Sequence, residues 1–181
     1  MLMPKSVLCD KKEIYEKVKK LFLLNGYSGV DIKTIANECK MAVGTFYNYY
    51  ENKEEIFCEV INDSWSLFFE ILKYKKTLEE FIQDIYYYIR DNRGFGITFK
   101  SIPIDKAINV NKLYDKIIDN VAEYIVNFVH EEYINMGRRI TLSLFMSIVL
   151  FTNSYELNDE DNLEFIYNLF LSYGKNKTGL I

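Results

Sequence analysis

The stretch from Asp31 to Phe57, DIKTIANECKMAVGTFYNYYENKEEIF, holds two short segments of helical spacing separated by a few residues. Asp31 stands where it can cap a helix whose Ile35, Ala36 and Cys39 share one face and which runs to about Cys39. A second short helix starts near Val43; its Phe46 and Tyr50, four residues apart, share a face, while Tyr47, Asn48 and Tyr49 point elsewhere. Asn52 followed by Glu55 has the spacing of a capping box, in which each side chain reaches the other's free backbone amide, so a longer helix begins there.

Two short helices joined by a tight turn, with a small residue at their crossing, make a helix-turn-helix unit whose second helix enters the major groove of DNA. Here Ile35, Ala36, Met41 and Phe46 supply the small core, and a side chain larger than Ala36 would force the helices apart. Val43, Gly44 and Thr45 are small enough for the backbone at the start of the second helix to approach base edges or phosphate. The outward set accounts for the crowding of aromatics: Tyr47 and Tyr49 can donate phenol hydroxyls to phosphate, and Asn48 can bond a base or a phosphate. Lys53, in the first turn of the following helix, can hold a phosphate with its ammonium. An isolated FYNYY would read as core packing; its company reverses that reading.

The whole chain agrees with this placement. Its formal charge is −4 over 181 residues, yet residues 1–53 carry nine lysines against six acids, so the cationic part is N-terminal. Hydrophobic content of 49% with only 2 prolines and 8 glycines argues for a packed, mostly helical protein. The expected fold is all-α, with about nine helices and no sheet: an N-terminal three-helix unit at residues 1–53 and a helical ligand-binding and dimerisation domain at 54–181. Ile14, Val18, Leu21, Phe22 and Leu24 mark the first helix, ended by Asn25-Gly26. Later helices are expected from Asn52 to about Tyr74, Leu78 to Arg93, Val110 to about Asn135, Arg138 to Tyr155 and Asp159 to Tyr173. Between them, Gly94, Gly96 and Pro103 read as a break beside a short sixth helix. Cys9, Cys39 and Cys58 have neither disulfide-framework nor zinc spacing. The N-terminus has no signal-peptide core, and Leu142–Phe151 is too short an apolar run to span a bilayer, so a cytoplasmic protein with no membrane partner is expected.

The quoted stretch resembles the DNA-binding signature of the TetR family of bacterial transcriptional regulators over roughly Ile14 to Val60. That resemblance implies a three-helix DNA-binding domain, a linking fourth helix, and a C-terminal domain that binds a small ligand and dimerises. It places Val43, Gly44, Thr45 and Asn48 near bases, Tyr47, Tyr49 and Lys53 at phosphates, and Lys33 at a position often basic at the start of the second helix. Two positions depart from the pattern: Lys40 stands where the turn usually has glycine, and Ala42 where a serine cap is usual. Residues 1–53 hold no arginine, so the common bidentate contact to guanine is missing and an A·T-rich, palindromic operator is expected.

In the C-terminal part, Trp65, Phe69, Tyr86, Phe95, Phe99, Tyr114 and Phe128 are candidates to line an apolar cavity for a small-molecule effector. Apolar residues ring almost the whole circumference of the eighth helix, so one face needs a partner. Leu144, Ile148 and Phe151 there, with Phe165 and Leu169 of the last helix, are the candidates for a homodimer interface. His130 is the one histidine, and no nucleophile or metal-ligand motif appears, so neither an enzyme nor a cofactor is expected. A helical adaptor acting through protein partners is the alternative to a ligand-responsive repressor.

Overall fold

The computed structural model describes residues 10–101, 107–152 and 158–175. Among them are nine α-helices: α1 (Lys11–Asn25), α2 (Ile32–Glu38), α3 (Val43–Phe46), α4 (Lys53–Leu72), α5 (Leu78–Asp91), α6 (Arg93–Ser101), α7 (Ile108–Ile125), α8 (Gly137–Thr152) and α9 (Asp159–Leu171). A 3-10 helix, Glu131–Met136, leads into α8, and no strand occurs among the described residues. Cys9, Pro103 and Tyr155 lie outside them.

One local rule starts four of these helices. Asp31, Asn52, Thr77 and Asn158 each accept, on a side-chain oxygen, the backbone N–H three residues on, at 2.7 to 3.1 Å. Each satisfies an amide that the first helical turn leaves without a partner. At α4 the reciprocal arm of the box is shifted by one residue, for Glu55 accepts the amide of Glu51 rather than of Asn52.

Two expectations fail, both because tertiary contacts outrank local pattern. The helix expected from Val110 to about Asn135 stops at Ile125. Val129 is fully buried, but its neighbours' backbone groups pair with the C-terminal segment instead of continuing the helix: His130 N–H donates to Tyr173 O at 2.9 Å and Lys175 N–H to Phe128 O at 2.8 Å. The glycines expected to break the chain at 94 and 96 instead lie inside α6. Gly94 is there for close approach. A Cβ on it would overlap the carbonyl oxygen of Phe22 and come within 2.6 Å of Gly26 N. Gly26 ends α1 at φ 70°, a left-handed conformation open to glycine, and its own Cβ would meet Thr98 Oγ1 at 2.6 Å. Thr98 completes this seam by accepting Tyr27 N–H at 2.8 Å while donating to Gly94 O at 2.8 Å.

A continuous core runs from Ile14 and Phe22 through α4 to Ile166 and Phe170. Within α4, Phe57 meets Phe22 edge-on at 5.0 Å, whereas Trp65, two turns later, packs on Phe95 of α6 and Phe145 of α8. A division after residue 53 therefore falls at the first residue of a helix that packs on both sides. The 22-residue stretch Glu131–Thr152 is long and apolar enough to cross a membrane by composition. Within it Ile140, Leu144, Phe145, Ile148 and Val149 are buried in the core, while Ile134, Met146 and Leu150 are exposed.

Gly94→Ala should cost about 1–3 kcal/mol by overpacking a backbone contact that cannot yield. Urea denaturation, read as a fall in midpoint at constant slope, measures it.

Candidate nucleic-acid interface

Helix α3 is only four residues long, and the chain continues through turns at 47–49. Its inner side is fixed by Phe46 and Tyr50, both buried and stacked at 5.8 Å between ring centroids. Burial pushes the Tyr50 phenol up to about 12, and its buried hydroxyl has no hydrogen-bond partner, so the ring serves packing. The outer side is open. Tyr47 is 53% exposed, Val43 is 41% exposed, and Gly44 and Asn48 are exposed as well. Thr45 and Tyr49 are half-buried, and Tyr49 packs partly against the core. Lys33 is exposed on α2, which packs directly against α3.

Two features make α3 locally weak. Ala42 stands at its N-cap with no side-chain hydrogen bond, and a missing cap of this kind costs about 1 kcal/mol. Lys40, in the turn before it, has φ 53°, which for a residue bearing a Cβ costs about 1–2 kcal/mol. Both are the positions at which the sequence departs from the usual serine and glycine. Gly44 adds a third oddity, since a Cβ there would meet nothing within 4 Å. None of the described residues requires glycine at that point, and the room it leaves opens outward.

Lys53 faces the protein in the free chain. The sequence reading offers its ammonium to a phosphate, but it turns back into the protein and donates to Tyr27 O at 2.8 Å and Val30 O at 3.0 Å. It also lies 3.9 Å from the centroid of the Tyr27 ring. Burial holds its pKa below the usual lysine value, with Asp31 opposing. No spacing rule signals this contact, because its acceptors are main-chain carbonyls 23 and 26 residues away.

The candidates in the C-terminal part separate into three groups. Trp65, Phe69, Phe95, Phe99 and Tyr114 form one aromatic cluster, with Trp65 4.8 Å from Phe95 and Phe95 stacked 4.6 Å from Tyr114. Tyr88 and Phe145 complete it. The rings touch and fill the space between α4, α6, α7 and α8, yet Trp65 Nε1 and Thr141 Oγ1 on α8 are buried without a hydrogen-bond partner. Tyr86 stands apart, donating to Asp159 of α9 at 2.7 Å. Phe128 stands apart too, at a cavity of about 380 Å³ edged by Lys76, Thr77, Asn127 and Lys175.

The proposed interface residues also divide. Leu144 and Ile148 are sealed within their own protomer's core and have no surface to offer a partner. The outer face of α8 carries Met146 and Leu150 instead, a half-turn away, and α9 adds Phe165 and Leu169, all exposed. Phe151 is half-buried against Phe165 at 5.4 Å, and together these residues line an apolar groove of about 330 Å³. The all-round apolar pattern of α8 hid which of its faces is the inner one.

Residues 14–60 match the family model described as "Bacterial regulatory proteins, tetR family". The HTH-type transcriptional regulator QacR of Staphylococcus aureus is 25% identical over 180 residues, which cover 84% of this chain and 91% of that protein. The uncharacterised HTH-type transcriptional regulator YuxN of Bacillus subtilis is 38% identical over 52 residues, 29% of this chain, and the match spans only 18% of its length. Among solved structures, AibR in complex with isovaleryl coenzyme A and operator DNA shares the fold, with a TM-score of 0.59 at 14% identity over 90% of this chain and 98% of that one.

Gly44→Ala should raise stability by about 0.5–1 kcal/mol, the ordinary gain of replacing a helical glycine, while weakening DNA binding. Thermal unfolding and fluorescence anisotropy with a labelled duplex read the two effects separately; a gain in both would remove Gly44 from the interface.

Proposed function

We propose that this chain is a TetR-family transcriptional regulator, a homodimeric repressor released from a palindromic operator by a small apolar effector. The observation that carries the DNA reading is the sidedness of the α3 segment: Phe46 and Tyr50 inside, Val43, Gly44, Tyr47 and Asn48 outside. On this reading Val43, Gly44, Thr45 and Asn48 approach base edges, while Tyr47, Tyr49 and Lys33 contact the sugar-phosphate backbone. The absence of arginine from residues 1–53 favours an A·T-rich site.

The partner for the exposed α8 and α9 groove is a second copy of the chain, which brings a second α3 to the same duplex. Two linked modules gain affinity that neither has alone, commonly 10²–10⁴-fold. The effector reading rests on the aromatic cluster. The buried Trp65 N–H without a partner is a group that an acceptor-bearing, mainly apolar molecule could satisfy on entering among the rings. To act as a release signal, that molecule must bind the DNA-incompetent state more tightly than the competent one. We assign the chain no enzymatic role and place its work in the cytoplasm. The adaptor alternative is not favoured, because it leaves the outward face of α3 and the open space at Gly44 without a purpose.

Selection from random duplexes with the purified protein should enrich an inverted repeat; recovery of no sequence above background would overturn the assignment. The double variant Leu150→Glu, Phe165→Glu should run as a folded monomer in analytical ultracentrifugation and lose about 100-fold or more in affinity for the selected duplex.

A further inference from the structure

The Tyr27–Val30 turn joins α1 to α2 and so sets where the helix-turn-helix unit sits. Contacts reach it from two other elements. Thr98 of α6 accepts the Tyr27 amide at 2.8 Å, and Lys53 at the start of α4 donates to the carbonyls of Tyr27 and Val30. The Tyr27 ring is held between the Lys53 ammonium and Phe57, which it meets edge-on at 5.1 Å. A helix N-terminus repels positive charge, and the two turn carbonyls offset that for the Lys53 ammonium. The neighbouring Glu54 reaches the other way. Its carboxylate accepts the amide of Asn109 at 2.7 Å, in the first turn of α7, whose N-cap residue Ala107 offers no side-chain bond.

We propose that Lys53 is a positioning residue that pins the Tyr27–Val30 turn, and with it α2, to the first turn of α4, and that it does not serve the interface as a phosphate contact. The proposal rests on the DNA-binding reading only for its effect on affinity; the pin itself exists in the free protein. It makes the first turn of α4 a junction, with Lys53 fastening the DNA-binding unit on one side and Glu54 fastening α7 on the other.

The two roles for Lys53 differ in what they do to salt dependence and to the free protein. A lost phosphate contact lowers the slope of log affinity against log salt by about 0.9 per copy, about 1.8 for the two copies on one duplex, and leaves the free protein unchanged. A lost pin weakens binding equally at every salt concentration and loosens α2 without DNA present. Lys53→Met should therefore keep the slope of the wild type while binding about tenfold more weakly to the selected duplex. It should also speed hydrogen exchange at the Ile35 and Cys39 amides of the free protein by about tenfold. Lys53→Arg keeps the charge but presents a planar fork in place of a compact ammonium. Under the pin it also binds about fivefold or more weakly, with faster exchange; under a phosphate role it binds as well as the wild type. A slope reduced by about two in Lys53→Met, or wild-type affinity and exchange in Lys53→Arg, overturns the proposal. Should the wild type bind no duplex, the function falls while the exchange measurement still decides the pin.

Discussion

The arrangement depends on backbone meeting backbone where α1 ends against α6. Gly26 and Gly94 leave no room for a Cβ on either side, and Thr98 turns the gap into a hydrogen-bonded joint by accepting from Tyr27 and donating to Gly94. A close contact of this kind has little compliance, because neither side can move without breaking van der Waals contact or overlapping. A displacement of α6 is therefore passed to the end of α1 and to the turn that carries α2. Phe95 and Phe99 of the aromatic cluster sit on α6, so the rings and the helix-turn-helix unit are linked through this one joint.

The recognition segment contrasts with that stiffness. Helix α3 is short, has no side-chain cap, and follows a lysine held in a left-handed conformation. Its order comes from behind, through the burial of Phe46 and Tyr50 and the packing of α2 against it. Local sequence preference and tertiary packing disagree here, and such disagreement is most common where function has set the sequence. The open space at Gly44 fits the same pattern, since alanine would be the better helix former and nothing in the fold excludes it.

Much of this was legible in the residues. The caps at Asp31 and Asn52 follow from one side-chain rule, which Thr77 and Asn158 prove to share, and the split between Phe46 with Tyr50 and their outward neighbours follows from helical period. What periodicity could not supply was anything fixed by distant backbone. The glycines of α6 looked like punctuation because their partner, α1, lies far off in the chain: Tyr27 and Thr98, which hydrogen-bond across the seam, are 71 residues apart. The end of α7 was hidden because Val129 keeps the apolar pattern while the chain around it bonds to Tyr173 and Lys175. The inward contacts of Lys53 were hidden for the same reason, and the exposed side of α8 because apolar residues surround it.

The claim on which the account stands is that two copies of α3 present their outer faces together to one side of a duplex. Hydroxyl-radical footprinting on the selected site measures this directly. The account predicts two protected patches on one face of the DNA, related by a dyad and centred one helical turn, about 10–10.5 base pairs, or a multiple of it apart. A single patch without a symmetric mate, or cleavage unchanged by saturating protein, would contradict it.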